Sequence, residues 1–243
     1  MRILLTVQYK GTDFAGWQTQ PGLRTVQETL QKAIEELTDE KVTLHASGRT
    51  DSGVHAIAQA VHFDSNSKIP VEKLPFALNV RLPDDVKVLS AKQVSDSFNA
   101  RFDVKKKTYI YKFYCSPHEY PLISDGYAHL PIEPDLDKMR KVADVIEGEH
   151  DFKCFQASGG HVKTTVRTVY SIDIRQNGEL YEIAVTGNGF LYNMVRIIAG
   201  TCYYAGIGKL TAEDVIKAFE TKDRTLVGKT LEAKGLYLAK VEY

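Results

Sequence analysis

Cysteine is scarce in this 243-residue chain, and the three present, Cys115, Cys154 and Cys202, are odd in number and far apart. No Cys-x-x-Cys pair occurs, which argues against a disulfide framework or a zinc site and suits a reducing, cytoplasmic compartment. Long apolar runs are missing as well. The opening Ile3-Leu4-Leu5-Thr6-Val7 falls far short of the ~18 residues of a membrane span and carries no signal-peptide cleavage pattern. The expectation is a soluble chain with no membrane partner. Nor is there an excess of one charge: Lys plus Arg and Asp plus Glu number 31 each. That excludes a histone-like polycation and confines any nucleic-acid binding to local patches. His45, His55, His62 and His150 do not make the His-x-x-x-His spacing of a helix-borne metal site, so no metal is expected.

What is present suits a packed core, with 43% hydrophobic and 26% charged residues. The length allows one large or two modest domains. Ile3, Leu5, Val7 and Tyr9 alternate as a strand does. Thr25-x-x-Glu28 reads as a capping box ahead of a helical stripe of Val26, Leu30, Ala33, Ile34 and Leu37. Strands are predicted over 42–46, 57–63 and 86–91, with a proline-bracketed helical piece before the last. In the second half, strands are predicted over 108–114, 166–174 and 180–186, the last two flanking Asn177-Gly178 as a hairpin. Helices follow the stripe Leu136, Met139, Val142, Ala143, Ile146, the run from Leu191 to Tyr204, and the segment capped by Thr211; a strand from Leu236 to Val241 closes the chain. This mixture, with hairpins and few β-α-β repeats, predicts an α+β fold with largely antiparallel sheet. No composition shift marks a linker. The basic run Lys105-Lys106-Lys107 is the expected boundary, giving an N-terminal α/β domain over 1–104 and a C-terminal α/β domain over 105–243.

The most unusual segment is Gly48-Arg49-Thr50-Asp51-Ser52-Gly53-Val54-His55. It sets an acid, a base and two glycines in a loop between apolar strands, where reacting groups are commonly displayed. An Asp beside an Arg stays ionised, because opposite charge favours the carboxylate. On composition alone the same residues also describe an Asp capping a turn next to a surface Arg. A phosphate-binding P-loop is excluded: the glycine spacing fits, but Val54-His55 stands where Lys and Ser or Thr are required.

The stretch 48–56 closely resembles the active-site signature of the tRNA pseudouridine synthase A (TruA) family. The likeness runs from end to end. It includes Tyr9-x-Gly11, Phe14-x-Gly16-Trp17-Gln18, Thr25-Val26-Gln27-Glu28, Asn79 to Pro83 and Phe98-Asn99-Ala100-Arg101-Phe102. Lys107-x-Tyr109-x-Tyr111, His150-Asp151-Phe152-x-x-Phe155, Gly189 to Arg196 and Gly235-Leu236-Tyr237-Leu238 follow in order. Ser52 stands where alanine is common in the family, a small change for the loop.

The resemblance implies two RNA-recognition-like (ferredoxin-like) halves with a joined, mostly antiparallel sheet and a central positive cleft. It implies a cofactor-free isomerisation of uridine to pseudouridine at nucleotides 38, 39 and 40 of the tRNA anticodon stem-loop. Asp51 matches the essential aspartate, which can act as nucleophile at C1′ or as base at C2′; the expected role is nucleophile. Arg49 matches a residue that helps displace the base and pairs with the aspartate. Tyr109 matches the active-site tyrosine, placed to stack on the flipped uracil. Arg196 is expected to pair with Asp51 from the opposite wall, and Leu236 to pack on the uracil. Tyr111 reads as a core aromatic and His55 as a turn-stabilising hydrogen-bond partner. Arg24, Lys105, Lys106, Lys107, Lys163 and Arg167 are expected phosphate contacts. The family acts as a homodimer on one tRNA. Two competing readings are a non-catalytic RNA-binding module of the same fold and a hydrolase pairing Asp51 with Asp13; the full set of expected reactive residues favours the isomerase.

Overall fold

The computed structural model describes residues 1–160 and 162–243. The chain divides into two compact units, Met1–Lys105 with Tyr237–Tyr243, and Lys106–Leu236.

The first unit opens with β1 (Arg2–Tyr9), whose alternating Ile3, Leu5, Val7 and Tyr9 are all buried. Leu4 is buried as well, on the opposite face, where Thr6 is half-buried and Gln8 exposed. Helix α1 (Val26–Thr38) is capped by Thr25, whose side chain accepts from the Glu28 N–H. Only half of the expected capping box forms, because the Glu28 carboxylate lies 2.7 Å from Lys32 Nζ. The strand expected over 42–46 contracts to β2 (His45–Ala46). Val42 and Leu44 are buried outside any ladder, and the Val42 N–H donates to the Glu35 carboxylate of α1 at 3.4 Å. β3 (His55–Asp64) follows, then a tight turn Val71–Lys73 and α2 (Leu74–Asn79). Pro75 sits in the first turn of α2, where a missing N–H costs nothing. The Asn79 side chain grips both backbone groups of Val88 (2.9 and 2.8 Å) and fastens the helix to β4 (Val86–Val94). β1 runs antiparallel to β3 on one side and β4 on the other, and β2 pairs antiparallel with β3.

The second unit contains β5 (Lys106–Cys115), β6 (Ala128–Leu130), α3 (Leu136–Ile146), β7 (Gly148–Asp151), β8 (Val166–Asn177) and β9 (Leu180–Gly187). It ends with α4 (Met194–Gly206) and α5 (Ala212–Thr221). The sheet runs β5-β9-β8-β7 with antiparallel neighbours, and β6 lies parallel to β5. The hairpin forms, but its turn differs from the expected pair. Asn177 faces Leu180, leaving Gly178-Glu179 at the tip with Gly178 at φ +59. A glycine of positive φ in first place is the pattern of a type II′ turn, which matches the twist of the strands.

Helix α4 starts three residues later than its apolar run, because Asn193 takes a left-handed conformation (φ 59) and serves as N-cap. It is buried on nearly every side. Gly200 lets the chain cross close above it: a Cβ there would lie 2.0 Å from the Lys229 carbonyl. Helix α5 carries the complete capping box between Thr211 and Asp214.

The last strand, β10 (Leu236–Glu242), pairs parallel to β3, with Tyr237 opposite His55 and Leu238 opposite Ala56. From Tyr237 onward the chain therefore belongs to the first unit. The fold is mixed α+β with mostly antiparallel pairing, as the sequence predicts.

Candidate active site

The segment 47–54 leaves β2 and enters β3 along a path fixed from two sides. On one side Gln59, a fully buried amide in an apolar strand, takes the Ser47 hydroxyl at 2.6 Å and donates to the Gly48 carbonyl at 2.9 Å. The Val54 N–H bonds back to the Asp51 carbonyl at 3.1 Å. Gly53, at φ +76, is the third residue of that turn, where a type II geometry needs positive φ.

On the other side lies the glycine-punctuated loop after β1. Trp17 N–H donates to the Thr50 carbonyl at 3.0 Å, and Phe14 carbonyl receives the Gly53 N–H and the Ser52 hydroxyl at 3.4 and 3.2 Å. Gly11 N–H donates to His55 Nδ1 at 3.1 Å, and the His55 ring stacks on Tyr237 at 4.6 Å. His55 thus holds the turn, as expected of it. The two loops approach so closely that side chains are excluded between them. A Cβ on Gly11 would sit 2.0 Å from the Val54 carbonyl oxygen, and one on Gly16 2.8 Å from that of Thr50.

Thr50 turns inward, its hydroxyl 2.7 Å from the Tyr9 phenol. Burial pushes the Tyr9 phenol well up, so this pair is neutral. On either side of Thr50, Arg49 is exposed and Asp51 half-buried. The backbone flanking Asp51 is therefore held at positions 50, 53 and 54. Tyr9, Thr50 and Gln59 are the supporting residues that the sequence reading missed. The available signal was Gln59, a polar residue between Ile57 and Val61 in an apolar strand.

Tyr109, Arg196 and Leu236 belong to the second unit. Tyr109 stands on β5 opposite Val185, with the edge-to-face ring of Phe190 at 5.3 Å. Gly187 makes room for Phe190, since a Cβ there would approach its ring to 3.1 Å. Phe190 is a fourth supporting residue not anticipated. Tyr111 is fully buried, donates to the Glu232 carbonyl at 2.8 Å and has its phenol pushed up by burial, which makes it the core aromatic expected. Arg196, in the first turn of α4, reaches the Asn193 side chain at 2.8 Å and the Leu231 carbonyl at 2.6 Å. Within its own unit it ties the cap of α4 to the segment leading into β10. Leu236 is buried.

The expected phosphate contacts occupy different settings. Arg24 makes a two-pronged bond to Asp85 at 2.7 and 2.9 Å and lies 4.0 Å above the Phe14 ring. In this structure it braces the glycine loop. Arg167 is half-buried, with Nη1 donating to the Thr164 and Val166 carbonyls at 2.9 and 2.6 Å. Burial lowers its pKa. Lys105, Lys106 and Lys163 are exposed, and Lys107 is half-buried on β5 opposite Gly187. No helix among the described residues is long and apolar enough to cross a membrane.

Comparison with known proteins supplies the context. Among solved structures, a chain of a Cbf5-Nop10-Gar1 complex aligns with 97% of this chain and 57% of its own length, at 14% identity and a TM-score of 0.40. A tRNA pseudouridine synthase A of Thermoanaerobacter sp. (strain X514) is 45% identical over 241 residues, 99% of each chain. Its namesake from Ruminiclostridium cellulolyticum is 44% identical over 243 residues, covering 100% of this chain and 99% of its own. A family model described as tRNA pseudouridine synthase matches residues 5–103 and 142–243. With the aspartate loop and its two clamps inside the matched segments, the chain belongs to the tRNA pseudouridine synthase family.

Proposed function

We propose that this protein isomerises uridine to pseudouridine at nucleotides 38, 39 and 40 of the tRNA anticodon stem-loop, with Asp51 as catalytic nucleophile. Membership of the family supports uridine isomerisation in tRNA. The observation that carries the residue assignment is the doubly clamped loop, which fixes a half-buried carboxylate beside an exposed arginine.

The target nucleotide leaves the stack, because its reacting atoms are out of reach within a helix. Asp51 attacks C1′ as the N1–C1′ bond breaks, the uracil turns, and C5 bonds to C1′ as the Asp51–C1′ bond breaks and frees the carboxylate. The C5 proton is then lost and N1 regains one, so atoms balance without any redox change. Arg49 fills the place the base has left. Tyr109 stacks on the uracil, its plane set by Phe190. Arg196 stabilises the carboxylate, and Leu236 supplies an apolar surface to the base. Arg24, Lys105, Lys106, Lys107, Lys163 and Arg167 serve the phosphates. The enzyme works as a cytoplasmic homodimer.

The test is Asp51→Asn, assayed by tritium release from tRNA carrying 5-tritiated uridine. Release is expected to vanish while tRNA binding persists. Turnover near that of the unaltered protein would remove Asp51 from the chemistry. Binding without release by the unaltered protein would instead identify a non-catalytic RNA-binding module.

A further inference from the structure

The loop 98–103 of the first unit is held at almost every position. Asn99 Oδ1 accepts the N–H groups of Arg101 (2.9 Å) and Phe102 (3.2 Å). Asp103 Oδ2 accepts the Asn99 N–H at 2.8 Å, and the Asp103 N–H returns to the Asn99 carbonyl at 3.0 Å. Ala100, fully buried, donates to His62 Nδ1 at 3.1 Å and receives the Tyr243 hydroxyl at 2.9 Å. Arg2 Nη1 holds the Phe98 carbonyl at 2.8 Å.

Two aromatic residues on this frame are treated oppositely. Phe98 packs its ring against His62 (6.1 Å) and Tyr243 (4.8 Å). Phe102 is held outward with 77% of its surface exposed. The exposed Arg101 guanidinium lies 5.6 Å from the Phe102 ring. Neither Arg101 nor the exposed Lys105 has an ion-pair partner among the described residues. The acid of the loop, Asp103, is exposed and accepts the Asn99 N–H through one carboxylate oxygen.

A loop that only reverses the chain needs small polar residues at its tip. Keeping a phenyl ring in water costs free energy that a partner can recover. An apolar partner would account for the ring but not for two exposed cations that make no ion pair. A partner with flat aromatic faces and regularly spaced anions accounts for both: bases stack on an aromatic ring while phosphates meet the guanidinium and ammonium groups.

We propose, building on the tRNA-isomerase function, that Phe102 and Arg101 form an RNA contact separate from the uridine being isomerised. A base of the tRNA stacks on Phe102, and Arg101 and Lys105 hold adjoining phosphates. The fixed backbone makes the contact cheap to form, because little loop entropy remains to be lost.

The test uses the full chain with Phe102→Ala, Phe102→Trp and Arg101→Gln, full-length tRNA, tritium release, and separately tRNA retention on a filter. Phe102→Ala is expected to raise both KM and Kd for tRNA about ten-fold, with kcat at saturating tRNA little changed. Phe102→Trp restores binding. Arg101→Gln lowers the steepness of log Kd against log salt by about 1. Melting midpoints and sedimentation stay as in the unaltered protein. An unchanged Kd in Phe102→Ala, or a fall in kcat alone, overturns the contact. A shift in oligomeric state overturns it too, by showing that the ring faces a second copy of the chain. Filter retention does not depend on isomerisation, so a protein that releases no tritium would refute the function while the Kd comparison still decides the contact.

Discussion

Gly16 combines two demands that no other residue type meets. Its φ of +100 is closed to ordinary side chains, and a Cβ would press to 2.8 Å on the Thr50 carbonyl, one residue before Asp51. Gly22 shows what the first demand alone is worth: it has φ +74 but open space around the missing Cβ. Gly22→Ala is expected to cost about 1 kcal/mol. Gly16→Ala should cost more, in the range of about 1–3 kcal/mol, and lower kcat more than KM, because the clash is relieved by moving the aspartate loop. Urea unfolding and steady-state tritium release on the two variants check this; equal effects on both would show that the contact with Thr50 does not matter. At this scale the sequence was legible in parts. The glycines and the Arg-Thr-Asp stretch stood out, yet their mutual contact did not. What Gly11 and Gly16 exclude is backbone of Thr50 and Val54, far along the chain. In the same way the pairing of Arg24 with Asp85 was hidden, because Asp85 lies on a separate segment.

Among the elements, β3 carries both the exit of the aspartate loop and a buried histidine with a defined protonation state. His62 Nδ1 accepts the Ala100 N–H, so the ring is neutral with its proton on Nε2. It stacks on His45 at 4.8 Å. Burial, then the charges of His45 and Arg2, pull its pKa to about 4, against weaker opposition from Asp64 and Asp103. The unfolded chain protonates this ring near its ordinary value of about 6.5. Stability from His62 is therefore whole above that pH and declines as pH falls from about 6.5 towards about 4. His62→Asn keeps an acceptor for Ala100 but does not titrate. Its unfolding midpoint, compared with that of the unaltered protein between pH 7.5 and 5, should fall less on acidification. Parallel curves would mean that the ring titrates alike in both states. Elements were the most legible level, since hydrophobic period fixes their type. The misses had local backbone causes. Left-handed Asn193 delays α4, and the Glu35 carboxylate takes the Val42 N–H that a longer β2 would have used.

For the molecule as a whole, the chain order of the strands hid one pairing. The basic run at 105–107 falls where the first unit gives way to the second, but the return of β10 to β3 had no sequence signal, because parallel partners can be any distance apart. That return gives the first unit a large share of its closure. Leu238 is fully buried, Tyr237 stacks on His55 at 4.6 Å, and Tyr243 bonds the Ala100 carbonyl at 2.9 Å. The Lys105 N–H also meets the Glu242 carbonyl at 2.8 Å, which joins the end of the unit's first segment to its last strand. Removing Tyr237–Tyr243 strips all four contacts and leaves backbone of β3 unpaired, an edge open to intermolecular pairing. The second unit's own ladder β5-β9-β8-β7 and its helices contain none of the removed residues. Hydrogen exchange on a chain ending at Leu236 should then show β1 and β3 amides losing protection while the β8–β9 hairpin keeps it, with aggregation rising with concentration. If protection were lost equally in both units, they would share one cooperative transition. The aspartate loop would then depend on the packing of the second unit as much as on the strand that closes the first.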